Sequence, residues 1–242
     1  MCGVALGKVA MTEKHSDRAK AAAMMAIVVV GVIAVTIIDL IIQPPYAVKS
    51  AAKVALFTGM PLIYSLCVNK EVDLRTLFKI GGGARGILEA VLWGAAVFGV
   101  IVGAYLLIGG LFDFSQITAN MEKSMGITRD NFIFVALYIS FANSFLEEFF
   151  FRGFACLKLQ QYVSRKAAYA FSSLTFSAYH IAMMWVAFEP PLVTFACAGL
   201  VIGGCLFNFF NEKYGNLYIS WLIHMGANFA INGIAMSLYG IV

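Results

Sequence analysis

The sequence predicts an all-α membrane protein: a polytopic bundle of seven or eight transmembrane helices around a polar cavity that opens to the cytoplasmic side. Of 242 residues, 61% are hydrophobic and 12% charged, against about 45–50% apolar and about 25% charged in soluble domains. The apolar residues gather into runs near the ~20 residues that cross a bilayer at ~1.5 Å rise per residue. The segments of ~10 residues alternating apolar and polar that mark a transmembrane barrel do not occur.

Apolar runs separated by charged or Gly/Pro breaks place spans at 21–42, 51–68, 87–111, 131–151, 168–188, 191–210 and 217–239. The first follows Lys14, Arg18 and Lys20 but is too long for a signal-peptide core and lacks a small-residue cleavage site. Lys53 and Pro61 interrupt the second, and a break near Asn232 and Gly233 in the last would create an eighth segment. Residues 1–130 read as an N-terminal tail with three helices, and 131–242 as the core carrying the chemistry, within one membrane domain. With the N-terminus cytoplasmic, 13 of the 17 Lys and Arg residues fall on the cytoplasmic side, as the positive-inside rule requires. The net charge of +4 is spread along loops, so it implies membrane orientation and no nucleic-acid partner. Gly99 with Gly103, and Gly199 with Gly203, have the small-xxx-small spacing of close helix contact. Gly81 to Gly83 read as a hinge after the amphipathic stretch 72–80. The five cysteines, from Cys2 to Cys205, lack disulfide or metal spacing and read as small core residues.

Ionisable groups within apolar spans are costly, ~2.5–3.5 kcal/mol each on insertion scales. Asp39, Lys53 and Glu89 lie near span ends and are expected to snorkel to the interface. Three polar stripes at helical spacing remain: Ser140, Asn143 or Ser144, and Glu147; Ser173, Ser177 and His180; and Ser220, His224, Asn228 and Asn232. Such stripes turn inward in lipid, so Glu147, His180 and His224 should share one cavity, with Glu147 roughly 6–8 Å from the cytoplasmic end of its span. Adjacent α-helical residues point ~100° apart, so Glu148 should face away from the centre that Glu147 faces and pair with Arg152 at i+4.

These residues fall in EEFFFR (147–152), FSAYH (176–180) and HMGAN (224–228). In that order on three helices, the motifs resemble the CaaX protease and bacteriocin-processing family, the Rce1-like or Abi membrane proteins, over roughly residues 131–239. The resemblance implies an intramembrane endopeptidase of the CaaX-protease type, acting on a membrane-anchored or membrane-proximal peptide or protein. It assigns water activation to Glu147 and His180, and oxyanion binding to His224 and Asn228. Glu148, Arg152 and Phe176 are supporting residues, and no cofactor is expected.

Several plainer or rival readings stand beside this one. Glu148 with Arg152 reads as a structural ion pair, Phe176 and the run Phe149 to Phe151 as packing, His15 as solvated, and Asn208, Asn211 and Asn216 as interface residues. Zinc held by Glu147, His180 and His224 would make a metalloprotease, although no His-Glu-x-x-His pair is present. A proton-coupled transporter would use the same cavity for a proton relay, and a noncatalytic immunity or membrane-interaction protein would use it for binding. No Gly-x-Ser-x-Gly element supports a serine nucleophile.

Overall fold

The computed structural model describes residues 2–185 and 188–242, with side chains described from Ser16 onward. Cys2, His15 and the basic residues Lys8 and Lys14 lie outside the described side chains. Eight helices organise the chain: α1 (Cys2–Ile37), α2 (Tyr46–Ile63), α3 (Gly83–Ile108), the short α4 (Ile117–Met125), the composite α5 (Phe132–Gln161), α6 (Arg165–Trp185), α7 (Pro190–Tyr214) and α8 (Tyr218–Leu238). The described residues contain no strand.

Five helical stretches are long and apolar enough to cross a membrane: Ser16–Ile42, Tyr46–Val68, Gly83–Leu111, Phe132–Gln161 and Pro190–Tyr214. The protein is therefore an integral membrane protein. At 21 residues each, α6 and α8 have the length to span, but their polar stripes lower their hydropathy. Those stripes carry His180 and His224. The expected tail is helical in its described part, since α1 runs unbroken from Cys2.

Close packing uses glycines other than the expected pairs. The buried residues of α3 are Gly86, Ala90 and Gly94, spaced by four, whereas Ile87, Leu88, Val91 and Leu92 face outward. This small-residue stripe lets α3 lie against α8. A Cβ added at Gly226 would sit 2.4 Å from the Gly94 carbonyl oxygen. Likewise a Cβ at Gly204 would meet the Ser173 Cβ at 3.0 Å, marking close approach of α6 and α7. Gly99, Gly103, Gly199 and Gly203 have nothing within 4 Å of an added Cβ; the small-xxx-small expectation is corrected, because these residues lie off the contact faces. At Gly81 to Gly83 the chain turns, with left-handed φ values of 91° at Gly82 and 52° at Gly83. Before it, Leu74–Phe78 forms a 3-10 turn that buries Leu74 and Leu77.

The phenylalanines of EEFFFR do pack. Phe150 stacks on Phe57 of α2 with ring centroids 4.0 Å apart, and Phe151 meets Phe176 edge-on at 5.4 Å. This aromatic layer fixes α5 between α2 and α6.

The most consequential departure from the expected layout is α5 itself. It runs to Gln161 rather than 151, so Glu147 lies near the midpoint of a 30-residue helix instead of near its cytoplasmic end. It is also not one α-helix. Ile139–Asn143 is π-helical, Ser144–Glu147 α-helical, and Glu148–Lys158 π-helical again. Widened turns shift the usual i to i+4 pairing. Side chains of α8 bond the same carbonyls that backbone amides of α5 use: Trp221 Nε1 donates to the Phe141 carbonyl at 3.0 Å, Asn228 Nδ2 to Ile139 at 3.2 Å, and Asn232 Nδ2 to Ala136 at 3.3 Å.

Candidate active site

Glu147, His180 and His224 converge from α5, α6 and α8. Glu147 Oε1 accepts a hydrogen bond of 2.7 Å from Asn143 Nδ2, one turn earlier. Its other oxygen, Oε2, lies 3.9 Å from His180 Nε2 and 3.8 Å from His224 Nε2. The two oxygens thus have different surroundings: Oε1 is anchored and Oε2 faces both imidazoles. The side chain of His180 is 13% exposed, against 2% for Glu147 and 6% for His224. His180 therefore forms the accessible edge of the cluster.

Each imidazole is oriented through its far nitrogen. His180 Nδ1 lies 2.8 Å from the Phe176 carbonyl, four residues earlier on α6. A carbonyl only accepts, so Nδ1 carries the proton and Nε2 presents a lone pair when the ring is neutral. His224 Nδ1 lies 3.0 Å from Glu148 Oε1. Facing a carboxylate, this nitrogen is also the protonated one.

The expectation that Glu148 faces away from this centre is corrected, because adjacent carboxylates hold opposite edges of one imidazole ring. Two side chains ~100° apart can still reach one ring from two directions, and the His224 imidazole lies between them, Nε2 toward Glu147 and Nδ1 toward Glu148. Glu148 Oε2 accepts from Ser220 Oγ at 2.6 Å and from Asn211 Nδ2 at 3.3 Å. The expected partner Arg152 also lies against Glu148, Nε to Oε1 at 3.5 Å, with both side chains fully buried. Arg152 nitrogens make no hydrogen bond among the described residues. Its guanidinium instead sits 3.7 Å from the Phe176 ring centroid and 5.0 Å from that of Phe207. Phe176 in turn lies edge-on to His180 at 4.6 Å, so it links the ion pair to the site.

Asn228 stands one turn beyond His224 on α8, and one of its amide hydrogens is engaged with Ile139. A carboxamide has two such hydrogens, so one donor remains. Ser173 and Ser177 do not reach the cluster: their hydroxyls contact Cys205 Sγ at 3.3 Å and the Cys197 carbonyl at 3.0 Å, both on α7. Of that stripe only His180 faces the site.

Four supporting residues differ from their sequence reading. Lys53 does not snorkel: its Nζ donates to Asn143 Oδ1 at 3.0 Å. Asn143 joins it to Glu147. Asn208, Asn211 and Asn216 are fully buried rather than interfacial. Asn211 bonds Glu148, and Asn208 Oδ1 accepts from Ser172 Oγ at 3.1 Å. The two acids expected to snorkel along with Lys53 behave differently. Asp39 lies 3.9 Å from Lys49, and Glu89 pairs with Lys213 and with Arg85 near the start of α3.

A bundle of apolar helices with two acids, two histidines and two cations gathered at mid-depth defines an integral membrane protein with a buried polar site. Residues 129–230 match the family model described as type II CAAX prenyl endopeptidase Rce1-like. No curated protein and no solved structure matches the chain. The matched segment contains Glu147, Glu148, Arg152, Phe176, His180, His224 and Asn228, but not Lys53.

Proposed function

We propose that this protein is a CaaX-type intramembrane endopeptidase in which Glu147 and His180 activate a water, with no covalent intermediate. The observation that carries this reading is the convergence of Glu147 Oε2 and His180 Nε2 at 3.9 Å. A water bonded to both at ~2.8 Å fits that separation. Glu147 takes a proton as the water oxygen attacks the scissile carbonyl carbon, and later delivers it to the departing amine. Neutral His180, held through Nδ1, accepts the second hydrogen bond of the water and aims its lone pair.

The developing oxyanion needs donors. His224, oriented by the Glu148 carboxylate at Nδ1, supplies one from Nε2 when both ring nitrogens carry protons, and the free amide hydrogen of Asn228 supplies another. Loss of one such donor typically costs about 10²–10³ in rate. The substrate is a peptide segment anchored in or beside the bilayer, entering past His180. With the N-terminus cytoplasmic and seven spans, counting α6 and α8, basic residues lie mainly on the cytoplasmic side.

Zinc is the second reading. Both histidines are fixed through Nδ1 by an acceptor, as metal-bound imidazoles usually are, leaving two Nε2 atoms and Oε2 facing one another. Charge weighs against it. Lys53 and Arg152 already balance Glu147 and Glu148, so a dication would leave the buried site with two uncompensated positive charges. Tetrahedral zinc would also draw these donors to roughly 3.4 Å from one another.

The test is cleavage of a fluorogenic peptide library by the purified protein, with Glu147→Gln as control. Wild type should cleave after exhaustive chelation and Glu147→Gln should not. Stoichiometric zinc by elemental analysis, with activity lost on removal and restored on return, would move His224 from oxyanion binding to metal coordination. Cleavage surviving in Glu147→Gln would overturn both readings, and a proton-linked flux dependent on Glu147 would favour a carrier.

A further inference from the structure

We propose that Lys53, on α2 and outside the Rce1-like segment, is a positioning residue for Glu147, acting through the Asn143 carboxamide. The proposal rests on the reading of Glu147 as the general base. Lys53 Nζ donates to Asn143 Oδ1 at 3.0 Å, and Asn143 Nδ2 donates to Glu147 Oε1 at 2.7 Å. An ammonium only donates and a carboxylate only accepts, so the amide between them has one permitted orientation. This relay engages Oε1 and leaves Oε2 as the oxygen turned toward both imidazoles.

Lys53 makes no salt bridge within 4 Å among the described residues, and its hydrogen-bond acceptor is Asn143. Asp39, just past the end of α1, has Lys49 of α2 at 3.9 Å. The Lys53 ammonium also lies 5.1 Å from the ring centroid of Tyr179, the neighbour of His180. A mid-membrane lysine is expensive, and an apolar residue would pack there at lower cost. The compensating gain falls on the site, where the cation faces the oxygen side of the amide that holds the base. Asn143 occupies the last position of the π-helical segment Ile139–Asn143, and its amide nitrogen is engaged with Glu147 one turn on, which leaves its oxygen to be held from another helix. The restraint comes from α2.

The experiment uses full-length protein carrying Lys53→Met, Lys53→Gln or Lys53→Arg. The first readout needs no substrate: hydrogen exchange of the Asn143 carboxamide in asparagine-labelled protein, assigned by its loss in Asn143→Asp. Exchange should be up to about tenfold faster in Lys53→Met than in wild type, and slow again in Lys53→Arg. The second is cleavage of the fluorogenic peptides. Lys53→Met should lower kcat by about 10²-fold with KM nearly unchanged and thermal stability equal or higher. Lys53→Arg should recover most of the turnover, and Lys53→Gln less. Slow exchange together with wild-type kcat in Lys53→Met would overturn the proposal, as would equal loss of stability in Met and Arg variants. If Lys53→Met does not fold, Lys53→Gln is read against Lys53→Arg by the same criteria. Cleavage surviving in Glu147→Gln would instead refute the role of Glu147, while the exchange readout would still report on Lys53 and Asn143.

Discussion

His224 Nδ1 and Glu148 Oε1 are 3.0 Å apart, so the second acid of the EEFFFR motif acts on the site from behind the imidazole. It also faces Arg152. Glu148 therefore has two separable duties, holding a buried guanidinium and fixing the ring of His224 through Nδ1.

Glu148→Gln should expose both. Removing one member of a fully buried ion pair typically costs about 3–5 kcal/mol, read as a lower thermal midpoint in detergent. Arg152→Met should cost a comparable amount. The double variant Glu148→Gln/Arg152→Met should regain most of the stability, since neither charge is stranded, yet remain slow because His224 lacks its carboxylate. Wild-type kcat in the folded double variant would show that Glu148 has only the structural duty.

The contact of Gly226 with Gly94 predicts a sharp contrast among glycines. Gly226→Ala should force α3 and α8 apart and destabilise by about 1–3 kcal/mol, because the new methyl would lie 2.4 Å from a backbone oxygen. Gly199→Ala and Gly203→Ala, with open space around the Cβ position, should leave the thermal midpoint unchanged. Equal effects at all three positions would contradict the packing described.

Asn228 and Asn232 each donate to an α5 carbonyl, at 3.2 and 3.3 Å, and Asn232 also donates to Ser140 Oγ at 3.0 Å. Both Ala variants should lose a small amount of stability, about 0.6 kcal/mol per typical interhelical bond, Asn232→Ala the more. Only Asn228→Ala should also lower kcat more than it raises KM, as expected of a group engaged in the transition state. Matching kinetics for the two variants would reduce Asn228 to a helix strut.

Orientation is checked by single cysteines in a background lacking the native ones. Lys79, Lys123 and Lys166 are exposed. Cysteines at 79 and 166 should be labelled only from the cytoplasmic side and one at 123 only from outside. Lys158 is a poor choice, since it is buried and bonded to Thr76 at 2.5 Å. Labelling of 166 and 123 from one side would refute the layout.

The three converging residues were legible because an acid or imidazole within an apolar run stands out on cost alone. Their partners were not. Lys53 lies 90 residues from Asn143, and Asn211 lies 63 from Glu148, so no local spacing records either contact. Lys53 also sits near a predicted span end, where lysines ordinarily snorkel. The glycine pairs misled because spacing by four shows only that two residues share a face, without showing what that face meets. The reach of Glu148 is missed for a geometric reason: a wheel gives directions only, and an imidazole with two nitrogens bridges two side chains that diverge.

The change of pitch along α5 has a consequence for sequence variation. Glu147 stands at the seam between two wide-wound stretches, Ile139–Asn143 and Glu148–Lys158, so its azimuth depends on residues counted well away from it. Deleting one residue within 139–143 would turn every later side chain by roughly a quarter turn about the axis and sweep the carboxylate away from both imidazoles, with every motif residue still present. In α5 the tally of residues carries information as strict as their identity, and a chain one residue shorter there would keep its signature while losing its alignment.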